Sequence, residues 1–307
     1  MSMNLTAISY TPTMIADQMV SNLTTDQNQQ ATLEQQLSTG NLVNSPSDNP
    51  AAANSIMQLN AGLNRATQYA TNASDGLGWL SLGNSTLNSV MSNLQTARQT
   101  VLALSGQMLS GQPGAIVGAA TQLQAIKQQI LGLANTTYGG QAIFSGTGNV
   151  STAYDQAGNY VGGGSAPTRT VAPGVQVPAS VTGPTVFGSG STGLLAPGGV
   201  LDTLITDINT GTPASLKKAQ TTDLASLDSA MSTVSTQAAE LGANYQRMQG
   251  FATQATNAQA ALQSQLSAED SVNVAQATTQ LTQDQQTYQT GLWATAQIES
   301  HSLVQYL

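Results

Sequence analysis

The fold is decided by one stretch, Ile56 to Met108, which reads IMQLNAGLNRATQYATNASDGLGWLSLGNSTLNSVMSNLQTARQTVLALSGQM. Counting alternately three and four residues from Ile56 gives Leu59, Leu63, Ala66, Ala70, Ala73, Leu77, Leu80, Asn84, Leu87, Met91, Leu94, Arg98, Val101, Ser105 and Met108. Only Asn84, Arg98 and Ser105 interrupt the apolar series. A seven-residue apolar repeat held this long keeps one seam of a helix facing a partner helix, whereas a straight helix drifts off such a repeat within a few turns. The spacing predicts a long coiled-coil helix within a rod of helices.

Upstream, Met14 to Leu37 carries a weaker heptad in Ala16, Met19, Leu23, Asp26, Gln30, Leu33 and Leu37. Gly40 is placed to end that helix, because a residue without a side chain takes the left-handed cap conformation. In NSPSDNPAAA, Asn44 to Ala53, Pro46 breaks structure, and Asn49 followed by Pro50 makes a cap and a first-turn proline. Downstream, SGQPG at Ser110 to Gly114 is a breaker, and a third helix follows through Ile116, Ala119, Leu123, Ile126, Ile130 and Leu133. The period then changes. The 61 residues from Gly139 to Gly199 hold fifteen of the 29 Gly and five of the ten Pro, with Asp155 and Arg169 the only charges. Short β-favouring pieces alternate there with turn signals. The heptad returns from Leu224 through Leu227, Met231, Val234, Ala238, Leu241, Tyr245, Met248, Ala252, Ala255, Gln259, Leu262 and Leu266. The last segment carries Val274, Ala277, Leu281, Tyr288, Leu292, Ile298 and Leu303 at looser helical spacing.

The expected fold is mainly α: a long antiparallel helical coiled-coil rod built from both chain ends, with a small β-rich, Gly-rich insert, since two half-rods flanking an insert can pair antiparallel. The expected boundaries are 1–43 with 271–307 for terminal helical segments, 44–138 with 214–270 for the rod, and 139–213 for the insert. In the seam, Ile56, Leu59, Leu63, Leu77, Leu80, Leu87, Met91 and Leu94 should meet Leu224, Leu227, Met231, Val234, Leu241, Tyr245 and Met248. The terminal segments are seam-poor, so their ordering, at about 1–2 kcal/mol per residue, should need apolar surface from neighbouring copies. Met19, Leu23, Leu33, Leu37, Leu281, Tyr288, Leu292, Ile298, Leu303 and Leu307 are the candidate assembly interface, and segments before about Leu37 and after about Val272 should be disordered in the free subunit.

Composition excludes most chemistry. Without Cys there are no disulfides, thiolate metal sites or cysteine nucleophiles, and the single His301 cannot assemble a zinc triad or a Ser-His-Asp set. A G-x-G-x-x-G match at Gly188, Gly190 and Gly193 has Pro197 and Gly198 where a phosphate-binding helix should begin, and is expected to be a flexible loop. Glu269 and Asp270 are adjacent, which on a helix points them apart. Trp79 and Trp293 are expected to be packing anchors. Neither an enzyme nor a cofactor or metal is expected. Seven Lys and Arg against fifteen Asp and Glu, a net charge of -8 without a basic cluster, make nucleic acid and anionic membrane poor partners. No apolar run approaches a membrane span, and MSMNLTAISYTPTM lacks the features of a cleavable signal. With only 7% charged residues the surface is mostly neutral and polar, which suits proteins packed against copies of themselves and also extended adhesins.

LSTGNLVNSPSDNPAAANSIMQL, Leu37 to Leu59, resembles the N-terminal signature of the bacterial flagellin superfamily. LANTTYGGQAIFSGT, Leu133 to Thr147, and the closing ATTQLTQDQQTYQTGLWATAQIESHSLVQYL, Ala277 to Leu307, are similar to hook-associated members that join the flagellar hook to the filament. The Ser-Pro-Ser-Asp form at Ser45 to Asp48, Ile-Phe-Ser-Gly at Ile143 to Gly146, and the final Tyr306 and Leu307 favour that branch over flagellin itself. The family usually has basic residues after the motif glycine; this chain has Asn41 and Leu42, which leaves a charge-based contact there open. The resemblance implies terminal helices in the inner core of a tubular assembly, a ring at the hook–filament junction, and an insert facing outward. It also implies export through the flagellar type III channel without cleavage, to an extracellular location on the flagellum. The implied partners are a hook-side junction protein, flagellin, and an export chaperone on the C-terminal helix. The rival expectations are a short flagellin, or a secreted adhesin or ligand-binding protein.

Overall fold

The computed structural model describes residues 12–107, 113–148 and 150–304. In order these form α1 (Pro12–Thr39), α2 (Pro50–Gln107), α3 (Pro113–Ala134), β1 (Thr137–Tyr138), β2 (Gln141–Ala142), β3 (Thr168–Ala172), β4 (Val175–Pro178), α4 (Gly183–Phe187), α5 (Val200–Thr210), α6 (Pro213–Lys218), α7 (Leu224–Asp270) and α8 (Val274–Val304). The protein is mainly helical. Its strands form two separate antiparallel pairs, β1 with β2 and β3 with β4. Contacts divide the chain into two compact units, Met1–Asn64 with Ala260–Leu307, and Arg65–Gln259.

Within 65–259, α2 and α7 run antiparallel. A Cβ on Gly76 would strike Met248, one on Gly83 would lie 3.2 Å from Leu241 Cδ1, and Arg98 Nε meets Asp228 Oδ1 at 2.7 Å. As the position on α2 rises, the partner on α7 falls in step. On α7 the heptad is as expected: Leu227, Val234, Leu241 and Met248 are buried, and Leu224, Met231 and Tyr245 pack beside them half-buried. On α2 one of the two seam positions lies one residue earlier than expected. Leu80, Leu87 and Leu94 are fully buried, but the alternate positions are Gly76, Gly83, Val90, Ala97 and Leu104 rather than Leu77, Asn84, Met91 and Arg98. Leu77 and Met91 are half-buried flanks of the core. Gly76 and Gly83 hold the inner line where α7 comes nearest, since a side chain there would meet Met248 or Leu241, and Val90, Ala97 and Leu104 continue it.

The same core takes in Leu123, Ile126 and Ile130 of α3 and Leu201, Leu204 and Ile208 of α5. The Gly-rich segment belongs to it too. Ile143, Phe144, Phe187, Leu194 and Leu195 are at most 2% exposed, and Phe144 and Phe187 meet edge to face at 5.4 Å. The G-x-G-x-x-G stretch is not the loose loop its composition suggests. A Cβ on Gly188 would lie 2.9 Å from Gly193 Cα, and one on Gly199 would strike the Gly193 carbonyl, so the glycines pack backbone on backbone.

In the other unit α1 and α8 pair antiparallel. Thr295 Oγ1 lies 3.8 Å from Met19 Sδ, a Cβ on Gly291 would lie 2.9 Å from Leu23 Cδ2, and Gln27 Nε2 donates to the Tyr288 hydroxyl at 2.8 Å. The line on α8 is a strict heptad of Ala277, Leu281, Asp284, Tyr288, Gly291 and Thr295, where the sequence suggested a loose one. It was hidden because three of its six members are Asp, Gly and Thr. The apolar surface that the terminal segments were expected to await from other copies is supplied, in part, by each to the other. Ile56, Leu59 and Leu63 of α2 are half-buried.

Candidate functional site

The three stretches that resemble flagellar proteins become three local structures, each built from backbone and uncharged side chains. At the first, α1 ends on Gly40 with φ 76°, and Gly40 N donates to the Gln36 carbonyl at 2.8 Å. The next residues bridge to the end of α7 and the link that follows it. Leu42 N donates to the Asp270 carbonyl at 2.6 Å, Val272 N to the Gly40 carbonyl at 3.1 Å, and Val43 N to Asp270 Oδ1 at 3.3 Å. Asn41 and Leu42 therefore act through their backbones, while the Leu42 side chain is 44% exposed. Asp48 then closes the Ser-Pro-Ser-Asp turn, its Oδ2 accepting from Asn44 N at 3.2 Å and Ser45 N at 2.8 Å. Asn49 caps α2 by accepting from Ala52 N at 3.1 Å, and Pro50 opens the first turn, as the sequence indicated.

At the second stretch, Asn135 holds two strands of chain together. Its Oδ1 accepts from Ala153 N and Tyr154 N, both at 2.8 Å, and its Nδ2 donates to the Tyr154 carbonyl at 2.9 Å. Gly139 and Gly140 have φ of 57° and 85°, which only the turn of a two-residue hairpin between β1 and β2 demands of both central residues. Ile143 and Phe144 that follow are core residues, and the Ser180 hydroxyl donates to the Ile143 carbonyl. Trp79 is the anchor expected of it: 5% exposed, 5.5 Å from the Tyr138 ring and 5.7 Å from the Arg169 guanidinium.

At the third stretch, Met19, Leu23, Leu33, Leu37, Leu281 and Tyr288 turn toward the partner helix within the chain, half-buried. Leu292 does not join them. It is 43% exposed, and Gly291 holds the inner position in its place. Trp293 is 81% exposed, so the expectation that it anchors packing inside the subunit fails. Val274, at 58%, and Val20, at 55%, also face outward. The side chains of Ile298, His301 and Leu303, and all of Leu307, lie outside the described residues. Leu292 was among the candidate assembly residues because seam counting credits any apolar residue near the right spacing, and strict seven-residue spacing places it off the inner line; Val20 and Trp293 join it on the outside.

Charge is used sparingly and mostly to tie elements together. Lys127 reaches Asp202 at 2.8 Å, Arg169 reaches Asp75 at 2.7 Å and Lys218 reaches Asp207 at 2.6 Å. Hydrogen bonds from Lys127 and from Gly198 N hold the Asp202 carboxyl below its usual range. Asn159, through its side chain and backbone, does the same for Asp155. Among the described residues no three His, Asp or Glu side chains converge as metal ligands, and no helix is long and apolar enough to cross a membrane.

Comparison with known proteins finds matches at both ends of the chain. Residues 11–149 match the bacterial flagellin N-terminal helical region and residues 224–307 match the bacterial flagellin C-terminal helical region. Flagellar hook-associated protein 3 of Salmonella typhimurium is 34% identical over 178 residues, covering 57% of this chain and 56% of the relative. The protein of the same name from Escherichia coli K12 is 32% identical over 152 residues, covering 49% and 47%. The chain thus spans about half the length of the curated relatives it matches. Among solved structures, a flagellar hook-associated protein from Vibrio parahaemolyticus has a TM-score of 0.60 at 22% identity, covering 72% of this chain and 99% of that one. FlgL of Bacillus cereus has a TM-score of 0.52 at 18% identity, covering 68% and 99%. At those identities the likeness is one of fold.

Proposed function

Because the chain belongs to the flagellin family through both of its helical regions, we propose that it is a structural adaptor joining the flagellar hook to the filament, assembled as a ring at their junction. The observation that carries this reading is the 34% identity to a hook-associated protein over more than half the chain. The α1·α8 pair supports it physically. Its inward apolar residues are spent on each other, while Val20, Leu292 and Trp293 remain outside, and an indole that is 81% exposed calls for cover by another molecule. Copies of the same chain would cover it around the ring, a hook-side junction protein below and flagellin above. Met19, Leu23, Leu33, Leu37, Leu281 and Tyr288 then serve assembly indirectly, by holding the two helices in the register that presents the outer face.

The same reading has the chain exported by the flagellar type III route, without a cleavable signal, to an extracellular position on the flagellum, with a chaperone holding α8 until then. The three motif structures support a scaffold rather than a catalyst, since their polar groups are engaged with one another. Adding purified protein to the ends of isolated filaments tests the reading. A junction protein adds a limited layer and stops, and continued elongation would assign the chain to flagellin instead.

A further inference from the structure

At the root of α7 the backbone departs from the α form. Ala219–Asp223 make a π turn between α6 and α7, a geometry that concentrates at functional positions. Asp223 closes that turn. It is 4% exposed, and no N–H or O–H donor reaches its Oδ2. Its side-chain partner is a second carboxyl, that of Asp207 on α5, and Asp207 in turn accepts from Lys218 Nζ at 2.6 Å. Two ionised carboxylates have no hydrogen to share, so the contact requires a proton on one of them.

The proton belongs to Asp223. Burial pushes its carboxyl up, to about 6, and contact with Asp207 adds to this, with Lys218 opposing. The hydrogen bond from Lys218 holds Asp207 below the usual carboxylate range. The remaining charges nearby are engaged elsewhere or face water. Asp202 of α5 is paired with Lys127, Asp228 of α7 with Arg98, and Lys217 of α6 is exposed.

The cavity of about 440 Å³ that Asp223 lines together with Phe187, Gly188, Gly199, Thr203 and Ser226 does not make this carboxyl a ligand anchor. Oδ2 is closed to solvent. Nor can the glycines hold an anion there: Gly198 N is spent on Asp202 Oδ2, Gly199 N on the Ala196 carbonyl and Val200 N on the Gly193 carbonyl.

We propose that Asp207 and Asp223 form a proton-bound clasp that fastens α5 and α6 to the root of α7 in mild acid and loosens toward neutral pH. The sign follows from the direction of the Asp223 shift. A carboxyl raised on folding contributes stability that is complete below its unfolded value, near 3.8, and is lost as pH rises through about 6. This is opposite to the acid sensitivity of an ordinary ion-paired carboxylate such as Asp202.

Hydrogen exchange on the full chain at pH 5 and pH 8, corrected for intrinsic exchange, tests the clasp. In the wild type, amides of residues 213–224 should open about tenfold more often at pH 8, relative to amides of α2, a figure discounted for nearby solvent. Asp223→Asn should remove that difference, because its amide donates to Asp207 at either pH. Asp207→Asn should reduce it, because the second carboxyl is gone and only burial still raises Asp223, and it decides the matter if the first variant does not fold. A wild-type opening ratio independent of pH, a pH dependence that survives in Asp223→Asn, or one that is undiminished in Asp207→Asn, would overturn the proposal.

Discussion

Two antiparallel helix pairs share a heptad spacing and differ in how much they bury. In the α2·α7 pair, α2 has Leu80, Leu87, Val90, Leu94, Ala97 and Val101 fully enclosed, whereas among the described residues of α1 and α8 only Ala277 is buried. Spacing is not the cause. The α2 seam lies beneath other elements as well as α7, since α3, α5 and the Gly-rich segment join the same core. The terminal pair has one partner face each, and polar Asp26, Gln30, Asp284 and Thr295 occupy part of it. A heptad sets which residues face inward. The number of layers placed over them sets what that is worth.

The sharpest test of that contrast is deletion of side-chain volume. Leu94→Ala, at a fully buried site, should cost about 3–5 kcal/mol in chemical denaturation of the full chain, since the enclosed site cannot collapse around the missing atoms. Leu23→Ala, half-buried in the terminal pair, should cost about 1 kcal/mol, and equal losses at the two sites would break the comparison. Asn135→Ala is expected to fall between them, at about 2–3 kcal/mol in the same measurement, because it leaves Ala153 N and Tyr154 N without an acceptor.

Hydrogen exchange sharpens the contrast without mutation. Amides of α1 and α8 should exchange well before those of α2 between 80 and 101, because few enclosed contacts oppose their opening. Equal protection would mean that the terminal pair is held by more than its own seam. The smallest effect on the subunit is expected at Trp293. Because it is 81% exposed, Trp293→Ala should leave the thermal midpoint of the isolated chain within about 1 °C, the scale of a surface substitution. The same variant should bind filament ends more weakly, and unchanged binding would remove the outer face of α8 from the assembly surface.

Much of the fold is legible in residue spacing. The α7 heptad, the α3 stripe, the Gly40 stop and the Asn49 and Pro50 start all correspond to observed structure, because each rests on a local rule. Several errors come from counting apolarity where the protein used smallness. Gly76, Gly83, Val90, Ala97 and Leu104 stand seven apart and could have revealed the inner line of α2, but a glycine carries no hydrophobic signal. Gly291 misled the reading of α8 in the same way: it, and not Leu292 beside it, holds the inner line. The glycines at 188, 193 and 199 look like slack in a sequence and are close backbone contacts in the structure.

By itself the sequence determined that the chain is a set of long helices from both ends around a Gly-rich insert, because seven-residue periodicity, caps and breakers act within a few turns of chain. Tertiary structure alone decided which residues of those periods became core. That choice depends on how near another element comes: α7 against Gly83, Phe187 against Phe144, Leu23 against Gly291, Asp207 against Asp223. Separation between residues distant in sequence is set by packing, and it decides whether a small side chain marks a loop or the tightest point of an interface.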